Sequence, residues 1–189
     1  MSTQLEIPTG TWTLDPVHSN VTFSVRHMMI AKVRGRFTSF GAEVVIAEDP
    51  QSSSVTASVE MASVDTHDAG RDEHLRTNDF FDVENHPRMT FRSTSITGSG
   101  EDYELAGDLT LRGVTKPVVF DVEVGGTTID PWGGTRAGFT ATTNISRKEF
   151  GLEYNATLET GGVLIGDKVD VELDVELVRA ADDAAPADA

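Results

Sequence analysis

The 189-residue chain contains no cysteine, which removes disulfides, thiolate metal sites and cysteine nucleophiles from consideration. It also lacks a long apolar run: no stretch approaches the ~18 residues that a membrane-spanning helix needs. The N-terminus, MSTQLEIPTGTW, carries neither a basic segment nor an apolar one, so no secretory signal is legible there. These readings favour a soluble, cytoplasmic protein with no stable membrane insertion. Positive charge is scarce too, with 15 Lys and Arg against 31 Asp and Glu and a formal net charge of −16. Nucleic-acid binding rewards the opposite balance, so the composition argues against it. Catalytic signatures are also missing. There is no GxSxG and no HExxH, and Gly161 and Gly166 have the spacing of a phosphate loop but are followed by Asp167 where lysine is required.

The shortage of positive charge is uneven. Between Asp15 and Glu43 no carboxylate occurs, while Arg26, Lys32, Arg34 and Arg36 all fall there. An acidic chain that clears one segment of carboxylates keeps a local positive field.

What the chain does have is alternation. Val21, Phe23, Val25 and His27 share one parity, with Thr22, Ser24 and Arg26 on the other, the period-two pattern of a half-buried strand. Similar runs occupy 20–28, 33–47, 53–61, 88–97, 102–112, 117–128, 135–145 and 168–178, with weaker extended pieces near Trp12 and Leu158. Val33 and Phe37 differ in parity from Phe40, Val44 and Ile46, so the second run needs a bend, for which Gly41 is the natural place. No helices separate these runs, which favours an antiparallel meander over a parallel sheet. Eight long strands leave edges unless they close, so the fold class expected is all-β, an eight-stranded antiparallel barrel. A barrel of that size either fills itself or holds one small ligand. The domain should span residues 10–179, preceded by a flexible leader (1–9) and followed by a small, polar, disordered tail (180–189).

One stretch breaks the pattern: RDEHLRTNDFFDVENHPRMTF, Arg71 to Phe91. Asp65, Thr66 and Asp68 can cap a helix start, Asp72 and Arg76 are spaced to pair on a helical face, and Pro87 ends the element. If extended, Phe80 and Phe81 would face opposite sides. The expectation is a short helical insertion across one end of the barrel. His67 and His74, seven apart, invite a metal reading, but no third ligand is evident and no metal is assigned.

Several blocks together carry a family resemblance: TWTLDPVHSNVTFSVRH, VRGRF, the insertion just quoted, LAGDLTLRGVTKPVVFDV and ISRKEFGL, in that order from Trp12 to Val178. The chain resembles the YceI-like family of lipocalin-like, polyisoprenoid-binding proteins. The resemblance implies an eight-stranded barrel enclosing a long apolar tunnel for an isoprenoid lipid, with no cofactor and no catalytic residues. Many relatives carry an export signal, and this chain departs from them in showing none.

An isoprenoid offers little to hydrogen-bond, so its affinity must come from apolar area removed from water. The ligand-binding candidates are Phe23, Val25, His27, Phe37, Phe91, Leu109, Leu111, Phe120 and Phe139 on the inward parity, each of which can equally be ordinary core. Met28, Met29 and Ile30 join them as an apolar run in a connection, read as a tunnel mouth or as a contact with a second copy in a homodimer. For an anionic head group the candidates are Arg26, Arg34, Arg36 and Arg71. A neutral quinone head would use His27, His74 or Trp132, and both possibilities stay open. The expected function is non-catalytic binding, storage or transport of an isoprenoid quinone or polyprenyl compound. The rivals are a fatty acid or fatty amide carrier, a lipid-modifying enzyme using His74, and a filled barrel that serves only as an interaction module.

Overall fold

A computed structural model describes residues 7–181, and among these it shows a closed, eight-stranded antiparallel barrel with one short helix. The strands are β1 (Gly10–Leu14), β2 (Asn20–His27), β3 (Ala31–Phe37), β4 (Phe40–Ile46), β5 (Ser54–Glu60), β6 (Val64–Asp65), β7 (Arg88–Ser99), β8 (Asp102–Leu111), β9 (Val114–Ile129), β10 (Thr135–Ser146) and β11 (Ile165–Arg179). Three barrel strands are each split by a bend, and in one of them β5 and β6 follow one another along β4 and β3. β1 and β2 follow one another along β11, while β3 and β4 follow one another along β2 and β1. The circuit β1-β4-β5-β7-β8-β9-β10-β11 closes where Trp12 pairs with Arg179 and Leu14 with Leu177. Closure gives every long strand two neighbours and removes the exposed edges that alternating strands would otherwise present.

The bend between β3 and β4 does not fall at Gly41, which pairs regularly with Ser58 inside β4. It falls at Thr38–Ser39, where both backbone N–H groups donate to Ser63 Oγ at 3.2 and 3.0 Å. A hydroxyl from a distant turn, rather than glycine flexibility, accommodates the parity change. The weak piece near Trp12 is strand β1, and the one near Leu158 is a single bridge, Thr157 with Val163. Of the expected leader, Ile7 packs beside Trp12, whose indole N–H donates to Pro8 O at 3.1 Å. The expectations for residues 1–6 and 182–189 lie outside the described residues.

The insertion forms α1 (Ala69–Arg76), capped by Asp68, whose carboxylate accepts the Arg71 N–H at 2.9 Å. Asp72 and Arg76 do not pair with each other. Asp72 is buried and accepts from the Thr66 N–H at 2.8 Å and its hydroxyl at 2.6 Å, while Arg76 donates to Ala62 O and Val64 O. Both side chains satisfy polar groups in the approach to the helix, a stronger demand than an exposed i,i+4 pair. Phe80 and Phe81 likewise do not diverge. The chain there is a series of turns, with the Phe81 N–H bonded to Leu75 O and the Asp82 N–H to Thr77 O, and both rings enter one core. That core, with Met61, Val64, Phe150 and Leu152, closes one end of the barrel against Leu109, Leu111, Val118 and Phe120. Arg112, in the β8–β9 turn, secures the insertion by donating to Phe80 O, Asn78 O and Gly151 O. A second cluster of Trp12, Val44, Ala137 and Leu177 lies in the other half.

Candidate functional site

Strand register decides which side chains look inward. Phe23 lies opposite Gly35 and Val171, Val21 opposite Phe37 and Leu173, and Ala141 opposite Val122 and Leu173. The inward candidates divide into two groups by packing. Phe37, Phe91, Leu109, Leu111 and Phe120 are buried, with Phe91 edge-on to Phe120 at 5.5 Å. Such a T-shaped pair adds about 0.5–1.5 kcal/mol beyond its buried area. Phe23, Val25 and Phe139 are only half-buried, as are Leu105, Val122, Val171, Leu173 and Val175 on the same enclosed face.

Two of the rings lie against the wall. A Cβ at Gly35 would fall 2.4 Å from Phe23 Cζ, and one at Gly107 2.3 Å from Phe91 Cζ. Each ring therefore covers a glycine of the neighbouring strand, the arrangement in which an aromatic side chain shields backbone where no side chain exists. Phe23 also contacts Phe37 at 5.5 Å, and Phe37 contacts Phe81 at 6.0 Å, an aromatic chain running from the wall to the insertion.

The structure separates the head-group candidates. Arg26, Arg34 and Arg36 alternate with the inward residues and lie on the outer face. Arg36 pairs with Asp65 at 3.0 Å, whereas Arg26 and Arg34 make no ion pair among the described residues. Arg71 is committed to Thr66, donating Nε to its hydroxyl and Nη2 to its carbonyl, both at 2.8 Å. His74 Nε2 stands 2.8 Å from Asp79 Oδ2, and its ring meets Phe80 and Tyr154 edge-on at 5.0 Å each. His27 ends β2 opposite Ala31 and Ile165 and is half-buried, while Trp132 is 87 % exposed in the β9–β10 turn. Met28, Met29 and Ile30 form the tip of the β2–β3 hairpin. A groove of about 590 Å³ crosses the outer face past Thr22, Arg34, Asp121, Asn144 and Glu172, and its mixed charges suit no apolar chain.

Two polar centres carry no signal in the residue pattern. Arg147 is buried and donates to four backbone carbonyls, at Gly166, Leu152, Tyr154 and Ile165. Its partners are main-chain atoms, which no residue type announces. The other centre is Arg136, whose guanidinium reaches Asp15 at 2.7 Å, Glu176 at 2.5 Å and Asp130 at 2.8 Å. Asp15, His18 and Glu176 have the geometry of a three-ligand metal site, but the Arg136 guanidinium already supplies the cation to both carboxylates. His67 stands 3.8 Å from Asp65 and joins no three-ligand cluster with His74 among the described residues.

His18 yields a pH prediction. The hydrogen bond that the His18 Nδ1–H donates to the Asp15 carboxylate, and that carboxylate's charge, raise the imidazole pKa above the ordinary 6.5. A raised folded-state pKa contributes stability that is fully present below 6.5 and lost as pH rises through the folded value. Unfolding midpoints recorded from pH 6 to pH 9 should therefore decline more in the wild type than in His18→Gln. Parallel curves for the two proteins would refute the coupling.

Comparison with known proteins places these features. The model of the YceI-like domain matches residues 12–177. A UPF0312 protein of Staphylococcus epidermidis is 37 % identical over 164 residues, covering 86 % of this chain and 94 % of its own. Among solved structures, BcnA of Burkholderia cenocepacia superimposes with a TM-score of 0.75 at 23 % identity, covering 86 % of this chain and 98 % of its own. A polyisoprenoid-binding domain from Saccharophagus degradans gives 0.69 at 17 % identity, covering 89 % and 98 %. The barrel with its capping insertion, and a family match running from the closing strand to the last, together show that the chain belongs to the YceI-like family.

Proposed function

We propose that the barrel binds, stores or transports a long apolar isoprenoid lipid, an isoprenoid quinone or polyprenyl compound, without transforming it. One observation carries the reading: inward apolar side chains, enclosed by a closed barrel, stay half-buried instead of sealed. A solid core packs to crystal-like density and leaves no such surface. An apolar chain threaded along Phe23, Val25, Leu105, Val122, Phe139, Val171 and Leu173 would cover it. Phe37, Phe91, Leu109, Leu111 and Phe120 would form the packed floor beside it. The structural neighbour from Saccharophagus degradans, described as polyisoprenoid-binding, supports the same ligand class.

Each methylene removed from water contributes about 0.8 kcal/mol, so affinity should rise with chain length until the chamber is full. His27 and His74 are the head-group partners we favour, because the outward arginines cannot reach the interior. The enzyme reading has one observation behind it, the imidazole oriented by Asp79 at 2.8 Å. His74→Ala separates the two by product: a carrier yields the same untransformed lipid from wild type and variant, at lower occupancy if His74 holds the head group, while an enzyme loses turnover.

Native mass spectrometry of the purified protein, followed by organic extraction, tests the proposal. A stoichiometric polyprenyl compound or quinone is the expected result. A protein that is empty and refuses added isoprenoids would overturn it in favour of a filled interaction module. Release of a fatty acid or fatty amide would shift the assignment to that carrier class.

A further inference from the structure

Three unfavourable features converge on the tip of the β2–β3 hairpin. Met28 (φ 51°) and Met29 (φ 62°) both occupy the left-handed region, in a three-residue connection closed by the Ile30 N–H donating to His27 O at 3.2 Å, and such positions are usually given to Asn and Gly. Met28, Met29 and Ile30 leave 41, 63 and 81 % of their surface in solvent. Arg26 and Lys32, one step back from the turn, are register partners on the outer face, and like charges placed opposite one another weaken a strand pair. Lys32 is steadied by Asp170 at 3.1 Å, but Arg26 and Arg34 have no ion-pair partner among the described residues. The apolar patch extends to the facing connection. Met28 N–H donates to Leu164 O at 2.8 Å, the Met29 sulfur lies against Gly162, and Val163 beside it is 41 % exposed.

Strain, exposed apolar surface and like-charge crowding in a single four-residue turn point to a function outside folding. We propose that this tip docks the protein peripherally on an anionic lipid bilayer. Met28, Met29 and Ile30 enter the interfacial zone while Arg26, Lys32 and Arg34 meet the lipid phosphates. Flexible, polarisable methionines adapt to a disordered surface, and an apolar edge flanked by cations is the pattern of interfacial binding. The net charge of −16 opposes approach to an anionic surface in general, and residues 16–42 hold four Lys and Arg and no carboxylate, of which Lys32 and Arg36 are paired with Asp170 and Asp65 while Arg26 and Arg34 are left to meet phosphate. At the opposite end Val17, Ile129 and Trp132 are also exposed, but they neighbour Asp15, Asp130 and Glu176 and fit an anionic surface poorly. A symmetric pairing of two tips would set Arg26 and Lys32 of both copies against each other. The bilayer is thus the occupant whose charge fits.

Docking places the hairpin that begins at His27, beside the enclosed apolar face, at the boundary where a lipid would be collected or delivered. It does not depend on the cargo, and the test uses vesicles free of isoprenoid. The full chain is floated with vesicles of phosphatidylcholine alone or mixed with phosphatidylglycerol, at physiological ionic strength. Wild type should float with the mixed vesicles. M29E/I30E should lose about tenfold or more in partitioning. R26Q/K32Q should weaken binding to mixed vesicles and leave binding to phosphatidylcholine unchanged. Thermal unfolding of each variant verifies the fold. A wild-type protein that stays down with both vesicle types, or M29E/I30E floating as well as wild type, overturns docking. So does a dimer that M29E/I30E breaks with flotation unaltered, which would give the patch to a second copy.

Discussion

Replacing Arg147 by methionine should lower stability by about 3–5 kcal/mol. The side chain is 4 % exposed and donates to Leu152 O at 2.6 Å, Gly166 O at 2.8 Å, Tyr154 O at 2.9 Å and Ile165 O at 3.3 Å. Methionine matches its apolar stem but withdraws the guanidinium from four carbonyls, of which Ile165 O keeps Asn155 Nδ2 at 2.8 Å, in a setting dry enough to pull the arginine pKa below its ordinary range. Those carbonyls join the segment after β10 to the start of β11, and with it Phe150 and Leu152, which close one end of the barrel. Arg147→Lys should recover little, because an ammonium on a single point cannot fork to four oxygens. For a chain of this size the loss corresponds to roughly 10–15 °C in unfolding midpoint. Urea titration gives the free energy directly, and a cost below ~1 kcal/mol would show that water replaces the guanidinium at little expense.

The second large effect is on ligand occupancy. Gly35→Ala should reduce bound isoprenoid by about tenfold or more, at a stability cost of only about 1–3 kcal/mol. The new methyl would stand 2.4 Å from Phe23 Cζ and 2.9 Å from the Thr66 methyl, so the ring must leave the wall. Its available direction is the enclosed face, where Val171 and Leu173 are half-buried. Truncating the obstruction in Gly35→Ala/Phe23→Ala should restore much of the occupancy. The comparison is extraction and quantification of lipid from wild type, single variant and double variant. Equal occupancy in all three would show that the ligand does not pass Phe23.

The barrel was legible because a period of two survives in almost every strand: from Val169 to Leu177 apolar residues alternate strictly with Asp and Glu. What failed was set by partners distant in the chain. The parity change before Phe40 is held by Ser63, not by Gly41, and Asp72 turns to Thr66 instead of Arg76 because a buried N–H and hydroxyl need an acceptor. Phe80 and Phe81 converge because the segment is a series of turns, so the condition under which they would face opposite sides is not met. For the site, alternation identified the inward Phe23, Phe37, Phe91, Phe120 and Phe139. Which of them are sealed and which stay accessible depends on closure and on the insertion, so it could not be read from spacing. The arginines were visible only as charges. Their division into outward (Arg26, Arg34), structural (Arg71) and buried (Arg147) emerged with the register.

The seam through β1 has a kinetic consequence. Trp12 is fully buried and Trp132 is 87 % exposed, and these are the chain's two tryptophans. Trp12 is sealed only when β1 meets both β4 and the final strand, and near that seam Arg179 bonds to Thr9 O across 170 residues. Contacts of such sequence separation form late and slowly, since a long loop must be ordered before it yields any packing. A ribosome therefore cannot release a finished barrel in stages: seven strands can emerge and pair, but the ring stays open, with Trp12 and its neighbours uncovered, until the last residues of β11 are made. Indole emission then becomes a single-site clock for ring closure, because Trp132 reads water before and after.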